Sequence, residues 1–515
     1  MRFIDSACSR TKRYKAPRIL LCGLLLAGLA ACVSVASNIS TNATEVRGTW
    51  VTTTANDAIA TPANTATTMR RLRKIGLNTV YVEVWKNGYT QFPSAALQRA
   101  IGVNGVAGMT GRDLLQETLI EAHRNGLIYI AWFEYGFMAA HQDTMNYLRR
   151  QKPAWLSRDI NGSEVAPNGS AWLNPLHPEA RKLLLDLVLE AIDKYDLDGV
   201  QLDDRMVWPH ITMGYDDYTR KIYADEHDGR TPPSDYKDAE WMRWRANKVD
   251  EYAKQFVQEV RAKRPGLVIS LSPAVYPWSW ENYLLEWPNW SAWTAQDRLA
   301  SVSTKAKETT PRWDEFVPQV YRLSYPDFEK TWLAQSAVIK TMGASAGADR
   351  QGDLIAGIRI VGDGPDSSWA QLRDSILLSR STGPSGHVLW FSRGVTDIFS
   401  KELSDFYAAS GVANSPYFPP GWRKSAITLY RAPLAERVGQ DGRTAWFAPD
   451  LPRGHYRLIG FDGRAWEYLN DQTVDNSSGI GNRVYFYLPG PYRQAELLLD
   501  RRSEMQQERS RMRNR

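Results

Sequence analysis

The feature that most constrains this chain is a repeated alternation, from Glu45 to about Ser410, of short β-branched or aromatic runs with amphipathic helical stretches. Strand followed by helix, many times over, requires parallel strands joined by helical crossovers. Eight runs qualify as strands: 46–53 (VRGTWVTT), 78–85 (NTVYVEVW), 127–134 (LIYIAWFE), 198–203 (DGVQLD), 267–272 (LVISLS), 315–321 (EFVPQVY), 354–360 (LIAGIRI) and 386–392 (GHVLWFS). The stretches 179–195 and 240–263 read as helices, the second with Val249, Tyr252, Ala253, Phe256, Val257 and Val260 on one face. Eight such units predict an α/β fold of the TIM (β/α)8 barrel type.

Strand parity carries the reading from fold to site. One alternating set is aliphatic, as in Val80, Val82 and Val84, or Leu267, Ile269 and Leu271. The opposite set, near the strands' C-terminal ends, is polar or aromatic: Glu83 and Trp85, Trp132 and Glu134, Gln201 and Asp203, Ser270 and Ser272, Gln319 and Tyr321, Arg359, Trp390 and Ser392. Because successive side chains point to opposite faces of a strand, these groups are expected to converge at one mouth of the barrel. That mouth is where enzymes of this architecture build their sites.

After residues 411–422 the helices stop. The runs 424–431, 455–461, 483–488 and 494–499, with turn signals at Asp462-Gly463 and Pro489-Gly490, predict a small all-β, sandwich-like domain that either binds carbohydrate or packs on the barrel, the second being favoured because nothing in it marks a site. The expected organisation is a leader over 1–32, a tether over 33–44, a barrel domain over 45–410, a β domain over 411–500 and a basic tail over 501–515.

Of the net charge of +6, residues 1–18 carry +5 and residues 501–515 carry +4, which leaves the body at −3. A mildly acidic body argues against nucleic acid as partner. Lys12, Arg13, Lys15 and Arg18 precede an apolar run from Ile19 to Leu29 that ends in Leu29-Ala30-Ala31-Cys32, the layout of a secretory leader. It also resembles a bacterial lipobox, making Cys32 the expected lipidation site. Val33 in the next position fits outer-membrane sorting in a Gram-negative host. All three cysteines (Cys8, Cys22, Cys32) lie at or before that point, so the body is expected to fold without disulfides. The location read from this is the cell envelope, lipid-anchored.

Carboxylates carry the chemistry. Glycoside hydrolysis uses one carboxylic acid to protonate the leaving oxygen and one carboxylate to attack or to activate water. Asp203, inward at the end of its strand, is the first choice for nucleophile or base. Glu134, flanked by Trp132, Phe133 and Tyr135, is the choice for acid, and Asp204 is the substitute for either. Two structural readings stand beside these: Asp204 capping its loop, and Arg205 pairing with an Asp. The seven histidines form no close pair of the kind zinc hydrolases use, neither a GxSxG elbow nor a Walker A loop is present, and no cofactor or metal is expected.

Six motifs in order resemble the bacterial glycosyl-hydrolase-like family 10: 45–50 (EVRGTW), 76–85 (GLNTVYVEVW), 131–136 (AWFEYG), 172–175 (WLNP), 195–204 (YDLDGVQLDD) and 317–321 (VPQVY). The resemblance implies a TIM-barrel glycosidase, often secreted or lipid-anchored, with peptidoglycan glycan strands as substrate in part of the family. Its Asp-Gly-x-x-x-Asp-Asp strand maps onto Asp198 through Asp204 and supports Asp203 and Asp204. Many members carry Gln and Arg where this chain has Glu83 and Trp85, and Asn where it has Glu134. Glu83 is therefore open as an acid, a sugar-hydroxyl acceptor or a partner for Arg359.

The function read from the sequence is hydrolysis of an envelope polysaccharide, most of all peptidoglycan glycan. Substrate-binding residues are Glu83, Trp85, Trp132, Asn174, Gln201, Ser272, Gln319, Tyr321, Arg359 and Trp390. The alternatives are a glycosidase for another extracellular glucan, and a module that binds glycan through Trp85, Trp132, Trp278, Trp280 and Trp390 without cleaving it.

Overall fold

The computed structural model describes residues 44–500 apart from 107–110, 384, 419–425, 434–442, 450, 452, 475–482, 489 and 491. Cys32, the leader, nearly all of the tether and the basic tail lie outside the described residues.

The body is an α/β fold built on a curled sheet of nine parallel strands. From one end its order is Glu315–Phe316, Val268–Ser272, Gly199–Asp203, Ile128–Phe133, Thr79–Glu83, Val46–Val51, Gly386–Trp390, Ala356–Arg359 and Gln319–Val320. The expected strand 315–321 is thus two short pieces that occupy opposite ends of the order. Pro318 lies between them and has no N–H to give to a ladder. The segment is nevertheless bonded on both sides: Val317 N donates to Leu271 O at 2.7 Å, and Ile355 N donates to Phe316 O at 2.8 Å. The sheet therefore curls until its two ends meet on one stretch of chain.

Register confirms the parity. Glu83 lies opposite Trp132, Trp132 opposite Gln201, Gln201 opposite Ser270, and Ser270 opposite Glu315, while Asp203 lies opposite Ser272. Partners in parallel register share a face, so these residues all turn inward. Val80, Val82, Val200, Leu202, Ile269 and Leu271 turn outward and are buried in the same apolar core as the helices. Helices Pro178–Lys194 and Ala239–Lys263 stand where periodicity placed them. Several helix starts are fixed by side-chain oxygens that accept an otherwise unpaired backbone N–H: Thr61 from Asn64, Asp113 from Gln116, Asp238 from Trp241 and Ser324 from Asp327.

The C-terminal segment forms two antiparallel sheets, one of four strands and one of three. Leu429, Trp446, Tyr456, Leu458, Phe486, Leu488 and Leu497, drawn from both, share one apolar cluster. Strands Thr444–Pro449 and Trp466–Val474 went unread in the sequence. The segment docks at the end of the sheet opposite the mouth. There Arg124 binds Glu496 at 2.6 Å and lies 4.1 Å from the centre of the Trp466 ring, and Arg457 lies 3.3 Å from Asp196. Among the described residues, no helix is long and apolar enough to cross a membrane.

Candidate active site

Two turns build the mouth, and each seats the other. Beyond the strand Ile128–Phe133 the chain turns through Glu134, Tyr135 and Gly136. Beyond Gly199–Asp203 it continues into Asp204 and Arg205. Gly136 has φ +43, and a Cβ there would meet the Arg205 carbonyl oxygen at 2.6 Å, so only glycine permits this approach. Phe137 N then donates to Arg205 O at 3.0 Å, and Arg205 Nη1 donates to Glu134 O at 3.1 Å. Trp85 supports the turn from beneath: its Nε1 donates to Gly136 O at 3.1 Å, and Tyr135 N donates to its carbonyl at 3.3 Å.

Three carboxylates converge on one guanidinium nitrogen. Arg205 Nη1 is 3.0 Å from Asp203 Oδ2, 3.5 Å from Glu134 Oε1 and 3.5 Å from Asp204 Oδ1. Any two of these oxygens therefore lie at most about 7 Å apart, so the three carboxylates form one electrostatic group. Lys86 supplies the second cation, 3.6 Å from Glu134 Oε2 and 3.0 Å from Glu83 Oε1. Glu83 also accepts from Thr53 N at 2.9 Å and from Thr53 Oγ1 at 3.0 Å.

The four carboxylates differ in access. Side-chain exposure falls from 28% at Asp204 to 11% at Glu134, 3% at Asp203 and 0% at Glu83. Asp204 and Glu134 are therefore the most accessible of the four from the mouth. Glu83 is a buried support whose cation is Lys86, not Arg359.

Four carboxylates against two cations cannot all be ionised cheaply in a partly dry mouth. Burial, then the Glu134 charge, pushes Glu83 up to about 7 against the pull of Lys86. Burial, then Asp204, pushes Asp203 well above the usual carboxylate range, with Arg205 opposing. Asp204 is raised by burial as well, against Arg205 and with Glu134. The hydrogen bonds of Asp203 nevertheless all serve its ionised form: Oδ1 accepts from Asp204 N at 2.9 Å and from Gln319 Nε2 at 2.5 Å, and Oδ2 accepts from Arg205. Asp204 N and Arg205 can only donate, whereas the Gln319 amide also has an oxygen that could accept from a protonated Asp203. The proton that burial retains belongs to the group as a whole.

The other expected residues divide. Gln319 braces Asp203 and also donates to Ser272 O at 3.2 Å. Tyr321 and Trp390 stack at 5.7 Å, and both are partly exposed. Burial, then the Asp203 and Asp204 charges, pushes the Tyr321 hydroxyl up, which ties that ring to the carboxylates. Trp85 and Trp132 are each 1% exposed and offer no face to a sugar; Trp132 packs on Trp50 and Trp390. Gln201 is spent inside the sheet, accepting from Trp50 Nε1 and donating to Ser270 Oγ, both at 2.8 Å. Asn174 is not brought to the group: its bonds go to Asp216, Thr219 and Leu176. Arg359 donates to Asp363 O at 2.7 Å.

The pairing of Arg205 with an Asp is present and organises the site. Lys86 and Thr53 were not singled out in the sequence, whereas Tyr283 lies in the Trp-rich loop 276–293, whose sequence reads either as shaping subsites or as ordinary packing. Tyr283 feels the Asp204 charge and carries an aromatic ridge of Trp278, Trp172 and His210, at 5.4, 6.1 and 5.7 Å. The signal for the two cations was their position, one residue after Trp85 and one after the Asp pair. Among the described residues no three His, Cys, Asp or Glu side chains are grouped to hold a metal ion.

A sequence model of the family described as glycosyl hydrolase-like 10 matches residues 45–342, more than half of the chain. The chain belongs to that family. Glycosyl hydrolase YngK of Bacillus subtilis is 29% identical over 205 residues, 39% of this chain and 38% of that protein. Glycosyl hydrolase DigH of Escherichia coli K12 is 26% identical over 271 residues, 48% of this chain and 56% of that protein. The chain thus spans about half or less of the relatives it matches. In structure it resembles the PgaB (BpsB) glycoside hydrolase domain of Bordetella bronchiseptica, with a TM-score of 0.50 and 12% identity over 72% of this chain and 99% of that one. That likeness concerns the fold, and places the glycosyl hydrolase-like 10 chain among TIM-like structures.

Proposed function

We propose that this protein is an envelope glycoside hydrolase that cleaves the glycan strands of peptidoglycan at the mouth of a closed eight-stranded barrel. The observation that carries the hydrolytic reading is the convergence of Asp203, Asp204 and Glu134 on Arg205 Nη1, at 3.0 to 3.5 Å. In this reading Asp203, braced by its three hydrogen-bond partners, is the nucleophile or base. Glu134 reaches the bond from the adjoining strand and delivers the proton to the leaving oxygen, with Asp204 beside it. Arg205 holds the three carboxylates in register, and Gln319 fixes Asp203. Family membership and the names of the relatives support a reaction on carbohydrate. The lipobox-like leader, ending at Cys32, supports an envelope polymer as the substrate.

The test is mass-spectrometric detection of fragments when the purified protein, with and without Asp203→Asn, meets peptide-free peptidoglycan glycan strands, intact peptidoglycan and a neutral α-glucan. Release from the peptidoglycan strands that the variant cannot achieve is expected. Release only from the α-glucan, or none from any polymer, overturns the assignment.

A further inference from the structure

Arg359 is the charge in the mouth that the carboxylate network leaves out. It ends the strand Ala356–Arg359 and lies in register with Trp390, so its side chain leaves the sheet on the inner face. Gln319, two residues before Tyr321, lies opposite Gly357, two residues before Arg359, which puts Tyr321 on the other flank. Arg359 is 6% exposed. Among the described residues its guanidinium makes one hydrogen bond, from Nη2 to the Asp363 carbonyl, and Nη1 is buried without an acceptor. Asp363 and Asp366 are exposed on the loop that follows, and neither carboxylate comes within ion-pair distance of the guanidinium.

A guanidinium taken out of water without an anion is strongly unfavourable, and burial of this kind is ordinarily matched by a carboxylate or phosphate. Here the surroundings are aromatic and narrow. Trp390 and Tyr321 stand beside it, and a Cβ on Gly362 would come 3.2 Å from Trp390 Nε1. Flat rings match the C–H face of a sugar, and a planar guanidinium matches a carboxylate in bidentate fashion.

We propose that Arg359, flanked by Trp390 and Tyr321, forms a subsite for a carboxylate borne on a sugar ring, so that the glycan taken here is anionic. The inference rests on the reading of this mouth as a glycan site and adds the chemical class of the sugar. Two sources carry that group: the lactyl ether of a muramyl residue and the carboxylate of a uronic acid.

The experiment measures dissociation constants by tryptophan fluorescence, using the full-length protein carrying Asp203→Asn so that the ligand survives. The probes are peptide-free muramyl glycan strands, the same strands with their carboxylates reduced to alcohols, and an oligouronate. Reduction is expected to weaken binding roughly 10- to 100-fold, the weight of a hydrogen-bonded charge, and Arg359→Met is expected to erase that preference while Arg359→Lys keeps part of it. Binding of the oligouronate that depends on Arg359 supports the subsite and assigns the carboxylate to a uronic acid. Equal binding of carboxylated and reduced strands, with no oligouronate binding, overturns the proposal, as does a preference that survives Arg359→Met. Should Arg359→Met fail to fold, the comparison of probes in the parent and in Arg359→Lys decides. Failure of the hydrolytic reading shows separately, as absence of fragments from the wild-type protein.

Discussion

Removing the charge of Glu83 is expected to change how stability depends on pH, because this carboxyl is fully buried and its pKa lies at about 7, against an ordinary 4.5. Its folded-state pKa is raised, so between those values the folded protein binds more protons than the unfolded chain. The contribution of Glu83 to stability is therefore whole below pH 4.5 and is lost as pH rises toward 7. At 1.36 kcal/mol per unit, the loss across that window is about 3 kcal/mol. Glu83→Gln keeps the shape and removes the titration. Urea midpoints of both proteins at pH 4.5, 6, 7 and 8 supply the assay. Asp203 and Asp204, also raised by burial, contribute with the same sign in both proteins and largely cancel in the difference. The variant should gain on the wild type by about 3 kcal/mol between pH 4.5 and 8. A difference that does not vary with pH would refute the burial of a titrating carboxyl at this position.

Other perturbations probe the parts in turn. Asp203→Asn and Glu134→Gln should each lower turnover by roughly 10²- to 10⁴-fold with unchanged far-UV circular dichroism; retention of full activity in both would remove these residues from the mechanism. Arg205→Met leaves three carboxylates facing one another and should cost about 3–5 kcal/mol at pH 8, but less at pH 5, where protonation relieves the repulsion; denaturant titration at the two pH values checks it. Trp278 is 46% exposed, so Trp278→Ala should move the unfolding midpoint by less than about 0.5 kcal/mol while raising KM for long glycans more than it lowers kcat. Arg124→Ala removes the ion pair to Glu496 and the contact with Trp466; limited proteolysis should then cut the C-terminal sheets at lower protease concentration, with turnover by the α/β body preserved.

The outline of the fold was legible because period-two alternation in a parallel sheet is dictated by the pleat, which the sequence displays directly. The inward row Glu83, Trp132, Gln201 and Ser270 could be written down from parity alone, and register places these residues side by side. Parity says which face a side chain takes but not how deep it lies or what it touches. Trp85 and Trp132 were on the right face and yet are consumed in holding turns and filling the interior, as are Trp208, Trp241, Trp287, Trp290, Trp313 and Trp332 elsewhere. The tryptophan content is for the most part a core property. Arg205 was legible as a partner for an Asp, but Lys86 was not, because its role is set by Glu83 and by Glu134 on another strand, which local sequence does not display. Asn174 was drawn in by its motif, and the structure uses it instead to tie Asp216 and Thr219 at a helix start.

Hydrolysis by the carboxylates around Arg205 is tested by cleavage of peptidoglycan glycan strands in water enriched in oxygen-18. One labelled oxygen is expected at each newly formed reducing end with the wild-type protein, and no new ends with Asp203→Asn or Glu134→Gln. New ends without label, or labelled ends formed as readily by both variants, would contradict it.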